Sequence, residues 1–338
     1  MGERRVAARA AVLAVDGGNS KASLALVARD GRLLAAVHGP TISHEQVGVG
    51  EALVRLRRLA ARAAAKAGLT RAGGPLADVG VYCLAGADTP GQVRMLSRML
   101  ADPTLAQRIA VLNDSRAALR AGTDRGWGVV VICGAGVNCA GVAPSGRTAA
   151  LRAIGAISGD WGGGRDLGMA ALAAAVRARD GRGPRTILER AVPEHFGLSR
   201  PVAVTEALYT GQLDEARLRE LAPTVFAAAK SGDSVGREIV DRLADELARM
   251  AVAIVRRLHL TRTEVEVVLA GGIFKADDPS FVERLATNVH RVAPRAQVRS
   301  LRVDPVLGAA LLGLEQLHPS PGAEAIARLR EAFANPSM

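Results

Sequence analysis

At 338 residues with 49% hydrophobic side chains, the chain is long enough for two domains and too apolar for disorder. Its net charge of +11 raises nucleic-acid binding, yet the arginines are scattered among acids along helical stretches (Arg55, Arg57, Arg58 and Arg62; Arg237, Arg242 and Arg249). With 3% aromatics there is no basic–aromatic interleaving for base stacking, so no nucleic-acid partner is expected.

No apolar run reaches the ~18 residues of a membrane span, so no membrane partner is expected. Cys83, Cys133 and Cys139 lie in strand-like apolar stretches without a C-x-x-C spacing. They read as buried reduced thiols of a cytoplasmic protein, and four ligands for a metal or iron–sulfur centre are lacking. The start, Met1 to Arg5, is charged and leads into an apolar segment that runs to Asp16 without a cleavage pattern. It reads as the approach to a first strand, not a signal peptide.

In chain order, residues 11–39 give three strands. The first two are joined by Asp16-Gly17-Gly18-Asn19-Ser20-Lys21, the next two by Arg29-Asp30-Gly31-Arg32. A loop over 39–46 and an amphipathic helix from Val49 to Ala67 follow. Val79–Leu84 is a fourth strand, Gln92–Leu100 a helix, and Ile109–Leu112 a fifth strand ending in Asn113-Asp114-Ser115 before a short helix to Arg120.

The pattern then repeats. An apolar strand from Trp127 to Ile132 meets Cys133-Gly134-Ala135-Gly136-Val137-Asn138-Cys139, and a second strand runs to Ala143. A turn at Pro144-Ser145-Gly146-Arg147 leads into a third strand from Thr148. Cys133 and Cys139 flank the glycine turn, as residues facing one another across a hairpin would. The duplication argues for two similar α/β domains. Five glycines fall between 159 and 168, residues 185–260 are mostly helical, and a long helix spans Val235–Leu258. A strand at Val265–Leu269 ends in Ala270-Gly271-Gly272-Ile273. A helix from Pro279 to Arg291, a strand near Gln297–Arg299 and a small-residue helix from Pro305 to Leu317 complete the pattern. The expected domains are 1–120 and 121–318, with the 319–338 tail packing on the first or fraying.

Glycine turns let backbone N–H groups approach phosphate oxygens. An acid beside such a turn repels phosphate unless a cation such as Mg²⁺ lies between them. Taken alone, Asp16-Gly17-Gly18 reads first as an ordinary hairpin turn. Asp114, at a strand-to-helix junction where ligands sit in open α/β sheets, is a candidate general base and also a candidate helix cap. Trp161 is placed to stack on a ligand ring or to anchor its loop.

Five motifs in order carry a resemblance. They are Asp16-Gly17-Gly18-Asn19-Ser20-Lys21, Leu112-Asn113-Asp114, Cys133-Gly134-Ala135-Gly136-Val137-Asn138, Gly159-Asp160, and Leu269-Ala270-Gly271-Gly272-Ile273. Together, over about 11–315, the chain resembles the N-acetylglucosamine kinase / BadF-type ATPase family of the actin-like sugar-kinase superfamily. The resemblance implies two ribonuclease-H-like domains with ATP in a cleft between them, and phosphoryl transfer to an amino sugar or hexose. It implies that Asp16, Gly17, Gly18, Asn19, Ser20 and Lys21 hold the β- and γ-phosphates, with Asp16 on Mg²⁺ through water. Gly134, Ala135 and Gly136 would form a second phosphate turn, and Gly271 and Gly272 would receive adenosine. Asp114 would be the catalytic base, and Ser43, His44, Asn138, Gly155 and Asp160 would contact the sugar.

Some positions depart from the family pattern. Ala135 and Val137 stand where the family often has Thr and Ser. Ala153-Ile154-Gly155 replaces its Gly-Trp-Gly, and Gly159-Asp160-Trp161-Gly162-Gly163 replaces its Gly-Asp-Glu-Gly-Ser. The alternative implied by the same resemblance is an ATP-hydrolysing activator or regulator without sugar kinase activity. A homodimer is compatible with the sequence.

Overall fold

The computed structural model describes residues 9–69, 74–318 and 322–334. The expectations made for Met1–Arg5 and for residues 319–321 and 335–338 lie outside them. In chain order the elements begin with β1 (Ala10–Gly17), β2 (Lys21–Val27), β3 (Leu33–Pro40), α1 (His44–Lys66), β4 (Ala77–Leu84), α2 (Pro90–Met99), β5 (Ala106–Asn113) and α3 (Asp114–Gly122). They continue with β6 (Gly128–Cys133), β7 (Val137–Val142), β8 (Thr148–Ala150), α4 (Gly163–Arg179), α5 (Leu188–His195), α6 (Pro201–Tyr209), α7 (Ala222–Lys230), α8 (Ser234–Arg257), β9 (Glu266–Ala270), α9 (Pro279–His290), β10 (Gln297–Ser300), α10 (Val306–Leu317) and α11 (Ala323–Ala334). Among the described residues no helix is long and apolar enough to cross a membrane.

The chain divides into two units, 1–127 with 301–338, and 128–300. Each contains a five-stranded sheet of the same topology. The first has order β3-β2-β1-β4-β5 and the second β8-β7-β6-β9-β10. In both, the first three strands form an antiparallel meander and the last two run parallel to the first. The repeat legible in the sequence is therefore a repeat of topology. The units differ in what lies between the third and fourth strands. Among the described residues, in the first it is α1 alone; in the second it is α4 to α8.

The first sheet is buried on both faces, as expected where helices cover each side. Leu13, Val15, Leu24, Leu26 and Tyr82 join a core with α1 and α2, whereas Val12, Ala14, Ala25, Val27, Val79 and Val81 join a second core with α3, α10 and α11. The assignment of 121–318 to one domain is corrected here. The boundaries fall at 127 and 300, so α10 belongs to the first unit. Small residues cause this. A Cβ on Gly308 would lie 1.9 Å from the Ala117 carbonyl oxygen, and one on Gly313 would lie 2.2 Å from Val12 Cγ1, so two glycines let α10 settle directly on α3 and β1. In α11, Leu329 is fully buried, and Arg330 donates to the Ala121 and Thr123 carbonyls at 3.2 and 2.6 Å.

Two local expectations change. Helix α1 begins at His44 rather than Val49: the amides of Gln46 and Val47 bond the Ser43 carbonyl, and Gly48 (φ 76°) then interrupts the helix without ending it. Cys133 and Cys139 do not face one another. The register pairs Cys133 with Val137 and Cys139 with Val131, because the turn closes tightly through the Gly134 amide on the Gly136 carbonyl. All three thiols are buried and free. Burial pushes that of Cys133 up to about 12, which removes the thiolate needed for reactivity.

Candidate functional site

In the first unit, β1, β4 and β5 are parallel neighbours and end at one sheet edge. They deliver Asp16 and Gly17, Leu84, and Asn113 with Asp114 to that edge. Carboxyl ends of parallel strands are where open α/β sheets bind ligands. The Ala85 amide donates to the Gly17 carbonyl at 2.8 Å and locks the first two strand ends together. Gly17 is required by packing: a Cβ would stand 2.7 Å from Leu84 Cδ2 and 3.0 Å from Ile42 Cγ1. Gly18 starts a two-residue loop, Asn19-Ser20, closed by its amide on the Lys21 carbonyl at 3.0 Å. Asn19, Ser20 and Lys21 are exposed at its tip.

Thr41, which the sequence reading missed, ties this turn to the start of α1. Its hydroxyl donates to the Gly18 carbonyl at 2.8 Å and accepts the Ser43 amide at 3.0 Å. Ser43 is 3% exposed, and its Oγ is buried without a hydrogen-bond partner. His44 packs its ring over Gly86 (φ 77°), where a Cβ would come within 2.8 Å of His44 Cε1. Ser43 and His44 therefore follow closely on the residue that ties the Asp16–Lys21 turn to α1.

Asp114 is the first residue of α3. The cap itself is Asn113, whose Oδ1 accepts the Ser115 amide at 3.0 Å, so the cap expected of Asp114 is supplied one residue earlier. Burial, and then the Asp88 carboxylate, push the Asp114 carboxyl up to about 6, against the Ser115 amide and its own. Burial also raises Asp16 well above the usual carboxylate range; Asp114 and Asp304 add to this and Lys21 opposes it.

Asp304 is a second residue that sequence reasoning missed. It lies just before α10 and is brought back from the far end of the chain to the β2 strand. One oxygen caps α10 through the Val306 amide at 3.0 Å. The other accepts the Ser23 hydroxyl at 3.1 Å and lies 4.0 Å from Lys21 Nζ and 3.6 Å from His38 Nδ1. Ser23 is directly opposite Asp16 in the sheet register. The only available signal was an Asp-Pro pair opening a small-residue helix, which by itself indicates a cap and nothing more.

In the second unit, the turn at Gly134-Ala135-Gly136 is buttressed by α4. The Gly134 and Ala135 carbonyls accept the Gly164 and Arg165 amides at 2.8 and 3.1 Å. Gly163 (φ 84°) permits this approach: a Cβ there would lie 2.5 Å from Gly136 Cα. Gly271 (φ 109°) is equally constrained, with a Cβ falling 2.2 Å from the Cys133 carbonyl oxygen. In contrast, a Cβ at Gly134, Gly136 or Gly272 would meet no atom within 4 Å. The turn and the strand-end glycines thus sit together, Gly163 and Gly271 filled by close packing and the other three facing open space.

The departure at Val137 has a packing cause. A Cβ on Gly162 would lie 2.8 Å from Val137 Cγ1, so the valine side chain sits against Gly162. Asn138, its neighbour along β7, faces the other side of the strand. Gly155 and Asp160 lie on the loop before α4. Their bonds stay inside it: the Asp160 amide donates to the Gly155 carbonyl at 3.3 Å, and the Asp160 carboxylate accepts the Ser158 hydroxyl. One face of the Trp161 ring is covered by the Arg242 guanidinium at 3.9 Å, which favours the anchoring role over stacking on that face.

The profile of the BadF/BadG/BcrA/BcrD ATPase family matches residues 13–313. The chain is 29% identical over 306 residues to the N-acetylmuramic acid/N-acetylglucosamine kinase of Clostridium acetobutylicum, covering 89% of this chain and 97% of that one. It is 26% identical over 311 residues to the N-acetyl-D-glucosamine kinase of Dictyostelium discoideum, with the same coverage of each. Among solved structures it is similar to a candidate N-acetylglucosamine kinase of Chromobacterium violaceum, with a TM-score of 0.70 at 24% identity over 91% of this chain and all of that one. The fold is accordingly the two-unit, mixed α/β fold of actin-like ATPases, with a ribonuclease-H-like sheet in each unit.

Proposed function

This chain belongs to the BadF/BadG/BcrA/BcrD ATPase family, and on that premise we propose that it is an ATP-dependent kinase of an amino sugar or hexose, of the N-acetylglucosamine or glucosamine type. The observation that carries this is Asp114, a carboxylate held at the end of β5 with its carboxyl raised to about 6. Such a group is mostly ionised at neutral pH, yet is more basic than an ordinary carboxylate. Phosphoryl transfer needs little covalent chemistry from protein. It needs an aligned hydroxyl, a base to orient it and accept its proton, and neutralised phosphate charge. Asp114 serves the hydroxyl. Relatives over nearly the whole chain are named as kinases of N-acetylated amino sugars.

In this reading the Asn19–Lys21 loop and the Gly134–Gly136 turn contact phosphate oxygens, and Gly271-Gly272 lies against adenosine. The open space beside Gly134, Gly136 and Gly272 supports it, since nothing of the chain itself requires a bare backbone there. Ser43, with its buried and unpartnered hydroxyl, and His44, Asn138, Gly155 and Asp160 contact the sugar. Mg²⁺ fits the first unit: Asp16 and Asp304 bring two carboxylates to one place with Lys21 as their opposing charge. Among the described residues no group of three acids, histidines or cysteines could hold a metal alone. Mg²⁺ keeps waters and is completed by substrate phosphates. Asp16 would hold it through water, and the ion would supply charge neutralisation at the phosphates.

The test is ADP release measured with a panel of amino sugars and hexoses. Sugar-stimulated release that is lost in Asp114→Asn, with ATP still bound, is the expected result. Sugar-independent hydrolysis at the same rate would instead assign the chain to an activator role.

A further inference from the structure

We infer that Asp88 is the positioning residue of Asp114, acting through the side chain of Asn113. This deepens the kinase reading and rests on it for its catalytic meaning. Asp88 lies in the loop between β4 and α2, and its Oδ1 accepts a hydrogen bond from Asn113 Nδ2 at 2.7 Å. The other end of the same amide is also committed, because Asn113 Oδ1 accepts the Ser115 amide that opens α3.

An asparagine cap can present either end of its amide. A carboxylate can only accept, so Asp88 admits a single orientation, with the amide nitrogen towards itself and the oxygen towards the helix. Asp114 is the residue between the two anchors, and its direction follows from how the first turn of α3 is set. The loop carrying Asp88 is fixed in turn. Gly86 packs against His44 and Glu45, and Thr89 caps α2 with a reciprocal bond to Gln92.

Asp88 also places a second negative charge near the base. Glu45 and His44 from the start of α1 face Asp88. Asp88 acts on Asp114, Asp114 acts on Asp16, and Arg116 of α3 bears on the adjoining Cys83. Burial and then Glu45 raise the Asp88 carboxyl, opposed by the Asn113 bond and by His44, and like charge raises the basicity of a neighbouring carboxylate. Geometry and charge are separable here. Asp88→Asn keeps an oxygen to receive Asn113 Nδ2 and removes the charge; Asp88→Ala removes both. Asp88 is exposed, so neither change opens a cavity.

Two measurements test this on the full chain. Carboxyl-carbon NMR of aspartate-labelled protein, with Asp114 assigned by its disappearance in Asp114→Asn, follows its titration without turnover. Both Asp88 variants are expected to lower its midpoint. In steady-state assays with ATP and the best sugar of the panel, Asp88→Ala is expected to lower kcat about tenfold with KM for ATP unchanged. Asp88→Asn should recover most of that loss and move the acid limb of the pH profile to lower pH. An unmoved Asp114 midpoint in both variants overturns the inference, as does equal kcat loss in the two. If the wild-type protein phosphorylates no sugar, the kinase reading falls, and the carboxyl titration still decides whether Asp88 sets Asp114.

Discussion

The two units share a sheet order and a glycine turn after the first strand, but the turns have diverged in what surrounds them. The first is acidic. Asp16 is flanked by Asp114 and Asp304 with Lys21 as the opposing charge, and its glycine at position 17 is consumed by packing against Leu84 and Ile42. The second turn carries no acid of its own. It is built by backbone proximity, with Gly163 and Gly271 packed onto it and Gly134 and Gly136 facing open space. A duplicated backbone can therefore hold two chemistries. Under the proposed function, one turn serves a cation and a reacting hydroxyl, the other direct amide contact with an anion.

The largest effect that would sharpen this contrast is at the acidic turn. Asp114→Asn is expected to reduce sugar phosphorylation by about 10²–10⁴-fold, measured as ADP release, while nucleotide affinity measured by calorimetry stays near wild type. The same variant should gain stability. A carboxyl whose folded value is raised binds its proton more tightly when folded, so its contribution to stability is present at low pH and is lost as pH rises through about 6. Removing the charge should raise the unfolding free energy at pH 8 by on the order of 1 kcal/mol after solvent screening, with no gain near pH 4. A denaturation series at both pH values checks the sign.

The next effect belongs to the second turn. Gly271→Ala forces a Cβ onto the Cys133 carbonyl at a positive φ and should cost about 2–4 kcal/mol of stability, read by thermal unfolding. Gly134→Ala meets open space, so stability should change by less than about 0.5 kcal/mol while ATP affinity falls. If Gly134→Ala bound ATP as wild type does, the second turn would lose its assigned role. Asp304→Ala removes the α10 cap and the bond to Ser23 and should cost about 1 kcal/mol, with a downward shift of the Asp16 titration because a like charge is gone. Smallest is Arg242→Ala, which uncovers the Trp161 face. It is expected to cost about 0.5–1 kcal/mol, seen as a change in tryptophan fluorescence, with KM for sugar rising more than kcat falls.

Local patterns carried much of this. Alternating apolar residues and glycine turns located β1, β2, β3, β6 and β7. Asp16 and Asp114 were legible as positions because an acid at the end of an apolar strand is conspicuous, and the structure places both at the ends of parallel strands of one sheet. Thr41 and Asp304 were not legible. A threonine in a loop and an aspartate before a helix are common, and only the bonds to Gly18 and Ser23 distinguish them. The start of α1 was missed because Gly48 reads as a breaker, although the Ser43 carbonyl had already nucleated a turn upstream of it.

What the sequence determined by itself is short-range: strand and turn positions, the duplicated meander, and the residue types at each strand end. These follow from periodicity and from the φ values that glycine alone adopts without strain. What the tertiary structure decided is long-range. It placed α10 with the first unit, set Asp304 beside the strand that carries Ser23, and divided the glycines into those that packing requires and those that face open space. Each of these depends on which atoms from distant parts of the chain come to lie opposite one another, and those distances are fixed only once the helices have docked on their sheets.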